Sequence, residues 1–146
     1  MDEQGNNVRR LATGATSRPS WSPDGKRIAY SSLSPEKIDG RLRLELFVVD
    51  ADGSNPTMIT SDIENSGDPC WSPDLVKIAF ARLTSGVPGA INLFMLDTGS
   101  NNARRMTFAR ATDERPAWSP DGKKIAFQSN RDGNFEIYLL QVQNPQ

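Results

Sequence analysis

The sequence predicts an all-β chain, a β-propeller with three four-stranded blades, and three observations carry that expectation. One ten-residue phrase recurs as WSPDGKRIAY at 21–30, WSPDLVKIAF at 71–80 and WSPDGKKIAF at 118–127. Its tryptophans, Trp21, Trp71 and Trp118, stand 50 and 47 residues apart, a period that belongs to propellers and arrays. No stretch carries a sustained helical period, so strands must place the apolar residues.

Each unit reads as four short strands. The first ends at the tryptophan, two residues after Pro19, Pro69 or Pro116. SPDG then makes a tight turn, because proline presets φ, aspartate bonds the local backbone and glycine takes the left-handed position. In the middle unit Leu75 replaces that glycine. A leucine there costs roughly 1 kcal/mol, so this turn is expected to take another form. The second strand is RIAY or KIAF. The third is LFVV, LFML or IYLL, apolar on both faces as a strand sandwiched between two sheets must be. A D-x-x-G or DTG turn leads into a short polar fourth strand suited to an outer edge. Its sequences are VRRLAT (8–13), PTMIT (56–60) and ARRMT (103–107). Nine of the eleven aromatics fall in three registers, Trp21/Trp71/Trp118, Tyr30/Phe80/Phe127 and Phe47/Phe94/Tyr138. The first unit also carries a longer insertion, SSLSPEKIDGRLRL at 31–44.

Length and composition bound the function. The 146 residues, 36% hydrophobic and 24% charged, suit one ordinary globular domain. A net charge of -1 and a pI near 5.4 give no electrostatic reason to expect nucleic acid or an anionic membrane as partner. No apolar run reaches bilayer-spanning length, and MDEQGNNVRR lacks the apolar stretch of a secretory signal. Cys70 stands alone, so no intrachain disulfide forms. There is no histidine, which excludes Ser-His-Asp and Cys-His chemistry and any His-ligated metal within this chain. Catalytic residues, metals and cofactors are therefore not expected.

The phrase P-x-W-S-P-D-G-K-x-I-A-F, with E-I-Y and D-x-x-G-x-N-x-x-x-L-T around it, resembles the TolB-type, WD-repeat-like propeller repeat over essentially the whole chain. The resemblance implies one domain over 1–146. Its blades fall at about 14–60, 61–107 and 108–146, with 1–13 as the outer strand that closes a last blade. DEQGNN at 2–7 matches DADGSN at 50–55, the turn after a third strand, so VRRLAT is read as a fourth strand without its own blade. EIYLLQVQNPQ is a third strand without its fourth. Three blades are too few for a closed ring, and a second copy related by a twofold axis would complete six. A homodimer is the expectation.

Several motifs weigh more towards structure than chemistry. The three tryptophans are expected between sheets, as core. DADGSN resembles the start of a calcium loop, but its sixth and twelfth positions are Asn55 and Ser61 rather than glycine and glutamate. It is read as a hairpin turn, as is SNRDGN (129–134). Arg9–Arg10 and Arg104–Arg105 are read as solvated charges guarding an outer edge, and Cys70 as a small buried apolar group. Ser22, Ser72 and Ser119 are turn residues, not nucleophiles.

One set of positions keeps functional interest. Residues just before the innermost strand of each blade should project around one mouth of the central channel. Here they are Arg18, Asp68 and Arg115, with Glu114 beside the last. The loops 31–44, 82–90 and 128–134 should surround the same opening, and variation on a constant scaffold is where recognition usually resides. Mutual pairing of these charges is the alternative role. In the TolB family a periplasmic six-bladed propeller engages a peptidoglycan-associated lipoprotein around the mouth, so the resemblance implies a non-enzymatic module for a protein or peptide partner. It implies a periplasmic location only if the parent is TolB-like; the compartment is otherwise unassigned. Similar repeats also form the gating propeller of prolyl oligopeptidase, dipeptidyl peptidase and tricorn-type enzymes, a second reading that a G-x-S-x-G segment flanking the repeats would favour. A sensor module joined to a regulator or kinase is a third.

Overall fold

Serine and aspartate of the repeated phrase set the first turn of every blade. The Ser22 hydroxyl donates to Asp24 Oδ1 at 2.7 Å and accepts from the Arg27 amide at 2.9 Å. Asp24 Oδ1 also accepts from the Lys26 amide at 3.1 Å. Ser72–Asp74 and Ser119–Asp121 repeat the arrangement at 2.5 and 2.6 Å. The turn's left-handed position is Gly25 at φ 68°, Gly122 at φ 68° and Leu75 at φ 67°. The expected change of turn at Leu75 does not occur: the Ser-Asp bonds hold the shape, and the leucine takes the strain.

The computed structural model describes residues 8–14, 17–37, 40–60, 64–100 and 102–142. The DEQGNN turn at 2–7 and residues 143–146 lie outside them. The first sheet runs β1 (Ser17–Trp21), β2 (Arg27–Leu33), β3 (Leu44–Asp50) and β4 (Thr57–Met58). The second runs β5 (Ser66–Trp71), β6 (Lys77–Leu83), β7 (Ile91–Asp97) and β8 (Ala103–Arg105). The third has β9 (Asp113–Trp118), β10 (Lys124–Ser129) and β11 (Glu136–Gln141). All neighbours are antiparallel meanders, one sheet per repeat. The fold is all-β, and each sheet is a propeller blade.

The aromatic registers become cross-strand pairs. Tyr30 faces Phe47, Phe80 faces Phe94 and Phe127 faces Tyr138, with ring centroids 5.6, 5.9 and 5.8 Å apart. Blades then stack face to face. Ala29 and Val48 of the first pack on Trp71 and Ile78 of the second, while Leu46 packs on Phe80 and Leu96. Ala79, Leu93 and Met95 of the second pack likewise on Ile125 and Phe127 of the third. Each such buried aliphatic side chain contributes roughly 1.5–3 kcal/mol.

Two expectations need correction. Trp71 is 5% exposed, but Trp21 is 59% exposed, because among the described residues no blade packs on the first sheet's near face. For the same reason β11 is not sandwiched: Ile137 and Leu139 are 76% and 66% exposed. VRRLAT, expected as the fourth strand of a neighbouring copy's blade, pairs with no strand within this one chain. Residues 8–13 lie against the first blade without joining a ladder. Leu11 packs against the cluster formed by Ile28, Tyr30 and Val49, and the Arg9 guanidinium donates to the Ala51 and Asp52 carbonyls at 2.6 and 2.7 Å.

Candidate functional site

A bulge opens the innermost strand of every blade. Pairing slips between Ser17 and Ser20 in β1, between Gly67 and Cys70 in β5, and opposite Ala126–Gln128 in β9. The residue at each slip is held left-handed: Arg18 at φ 48°, Asp68 at φ 53° and Arg115 at φ 56°. A proline follows each one. Residues other than glycine avoid this region, at a cost of order 1–3 kcal/mol each. The three lie not just before the innermost strand, as expected, but within it, at the point where a bulge re-aims a side chain.

The bulges bring the charged residues together. Arg18 Nε lies 2.7 Å from Asp68 Oδ1, and the Arg115 amide donates to Asp68 Oδ2 at 3.3 Å. Arg115 Nε is 3.5 Å from Glu114 Oε1, and its guanidinium donates to Gln128 Oε1 at 3.2 Å. Gln128 in turn donates to Glu114 at 3.1 Å. Both arginines stay about half exposed, so each keeps donors turned to solvent. Beside them a cavity of about 220 Å³ is lined by Leu44, Gly67, Asp68, Leu83, Ile91 and Glu114.

A second polar cluster, unforeseen from the sequence, lies beneath. Asp113 is fully buried and accepts from Ser129 at 2.6 Å, Arg131 at 3.0 Å and Asn92 at 3.3 Å. Burial pushes its carboxyl up, but hydrogen bonds from Ser129, Thr107 and Arg131 outweigh it and hold the group below its ordinary value. Asn92 ties this cluster to Arg105, which donates to it at 2.6 Å and stacks on Phe108. Arg105 is therefore a bracing residue rather than a solvated edge charge; Arg104 remains exposed. The one legible signal was Asp113 standing where the preceding blade has Ser66. Cys70 is only partly buried, with burial raising its thiol. Trp118 Nε1 donates to the Cys70 carbonyl at 3.2 Å, stitching the second and third blades. The turn carboxyls Asp24, Asp74 and Asp121 all sit below their ordinary values, first through the serine hydroxyl donated to each.

The profile of the TolB beta propeller domain matches residues 1–146. The chain belongs to this family. It is 41% identical over 59 residues to the Tol-Pal system protein TolB of Methylococcus capsulatus, covering 40% of the chain and 13% of that protein. It is 33% identical over 67 residues to dipeptidyl-peptidase 5 of Porphyromonas endodontalis, covering 46% of the chain and 10% of that protein. Among solved structures, TolB from Acinetobacter baumannii superposes with a TM-score of 0.81 at 27% identity, over 97% of this chain and 34% of that one. The tricorn protease gives 0.61 at 21% identity over 83% and 12%, a likeness of fold alone. The TolB-type chain thus spans a small part of the curated relatives it matches and about a third of the solved TolB.

Proposed function

We propose that the chain is a non-enzymatic TolB-like binding module that holds a protein or peptide at the channel mouth through Arg18, Asp68, Glu114 and Arg115. The observation that carries this reading is the recurrent left-handed backbone at three charged residues on three successive blades. Glycine would relieve that strain at each position, so the side chains justify it. The similarity to Tol-Pal system TolB proteins supports a protein partner. In this reading the mouth is completed by a second copy, two sets of three blades making a six-bladed ring. The blades are about 14–60, 61–107 and 108–142, with 8–13 on the neighbouring copy's last blade.

The similarity to dipeptidyl-peptidase 5 favours a second reading, in which the propeller gates a hydrolase. Flanking sequence in the gene distinguishes them, since a G-x-S-x-G segment following the repeats belongs to the second.

The test is affinity capture from the source organism with wild-type chain and with the triple variant Arg18→Glu, Asp68→Lys, Arg115→Glu, compared by mass spectrometry. Rim charges govern recognition more than stability, so a specific partner should be lost from the folded triple variant. Equal recovery by both proteins contradicts the assignment.

A further inference from the structure

We infer that the interface between the first two blades is a binding site for a small carboxylate with a short apolar body, held by Arg27 and the Trp71 indole N–H. A cavity of about 260 Å³ lies between those blades, lined by Val48 and Ile59 of the first and Ile78 and Leu96 of the second. Arg27 and Trp71 line it too. The site is distinct from the charged bulges. In the first ladder Trp21 faces Ile28 while Ser17 faces Ser31, so Arg27 and Arg18 stand at opposite ends of the sheet. Both walls are blades that pack on each other within the chain.

Two departures from the repeat meet there. Lys77 and Lys124 stand where the first blade has Arg27, and only arginine offers a planar fork that matches the two oxygens of a carboxylate. The guanidinium carbon lies 4.8 Å over the centre of the Trp71 ring. Among the described residues no hydrogen bond or ion pair engages that guanidinium. Its neighbour across the ladder, Asp50, is occupied elsewhere: it accepts from Asn55 Nδ2 at 2.7 Å and from the Ser54 hydroxyl at 3.4 Å. Attraction to the face of a ring places a guanidinium without consuming its N–H groups.

The second departure is at the indole. Trp118 Nε1 donates to the Cys70 carbonyl at 3.2 Å, and Ser20 holds the place of Cys70 in the first blade. Trp71 makes no such bond. Its side chain is 5% exposed, and its Nε1 is buried without a hydrogen-bond partner. A buried donor in a close-packed interface calls for an acceptor. A carboxylate answers both the fork and the indole N–H, and the aliphatic lining takes its carbon chain. At about 260 Å³ the cavity falls below the ~300–1,000 Å³ usual for drug-sized ligands, which keeps that chain short.

The experiment follows the indole N–H signals in a proton–nitrogen correlation spectrum while isovalerate is added, with isovaleramide and acetate as comparison probes. The Trp71 signal is identified by its loss in Trp71→Phe. That signal should move downfield and saturate, while those of Trp21 and Trp118 stay in place. Isovalerate should bind about tenfold tighter than isovaleramide, which lacks the charge, or acetate, which lacks the apolar body. Arg27→Lys installs the residue that the other two blades carry, so the fold should persist while isovalerate binding weakens roughly tenfold. N-acetyl-leucine separates two sources of the same group. Tighter binding than isovalerate assigns a peptide chain end and weaker binding a free acid, and either supports the site. Equal binding of acid and amide, or full affinity in Arg27→Lys, overturns the inference. A Trp71 signal unmoved by isovalerate at millimolar concentration overturns it as well.

Discussion

Trp71 is 5% exposed, with the Arg27 guanidinium 4.8 Å above its ring and Ala29, Val48 and Ile78 around it. Trp71→Ala should cost roughly 3–5 kcal/mol in denaturant unfolding, and a loss below about 1 kcal/mol would mean that the ring does not bear on the core. Trp21 occupies the same register and is exposed, so Trp21→Ala should leave the folding of one chain nearly unchanged while weakening association. At Gly25 a Cβ meets nothing within 4 Å, so Gly25→Ala isolates the cost of a left-handed backbone, about 1 kcal/mol. The turn aspartates contribute to the pH dependence in the same direction as Asp52 and Asp113. Asp24, Asp74 and Asp121 titrate lower in the folded chain than in the unfolded one. Their contribution is present above the ordinary carboxyl value of about 4 and is lost as pH falls through the folded values. Thermal scans from pH 6 downwards should show that loss, and Ser72→Ala should flatten the part due to Asp74. A Ser72→Ala profile parallel to wild type contradicts this cause.

At the scale of the strand, the proposed binding role sets recognition against stability at the bulges. Arg115 is about half exposed and strained, so Arg115→Gly should keep or raise the melting temperature while reducing partner capture; a clear fall in melting temperature would show that the residue serves the fold. The strands themselves were legible, because each blade repeats proline, tryptophan, turn and aromatic in one order. Leu75 was misjudged, since the turn is governed by the Ser72 and Asp74 side chains as much as by the left-handed residue. Arg18, Asp68 and Arg115 were legible as one register of the repeat, but their positive φ was not, because a bulge is a property of pairing between β1 and β2 rather than of the local sequence. The network joining Asn92, Arg105, Asp113 and Arg131 was hidden more deeply. Its members come from four separate segments, and each reads alone as an ordinary surface polar residue.

For the molecule as a whole, the two exposed faces matter most. A repeat sequence reveals how neighbouring blades pack, and so what an unmatched face requires, but not burial itself: Trp21, Ile137 and Leu139 read as core by register and stand exposed. In the proposed reading, Arg18, Asp68, Glu114 and Arg115 form a closed rim only when those faces are covered. Ring closure by a second copy is therefore the claim on which the binding account depends. Light scattering coupled to size exclusion measures it directly on the unmodified chain at micromolar concentration. The account predicts a single species at twice 16.1 kDa; a stable, folded species at 16.1 kDa would contradict it.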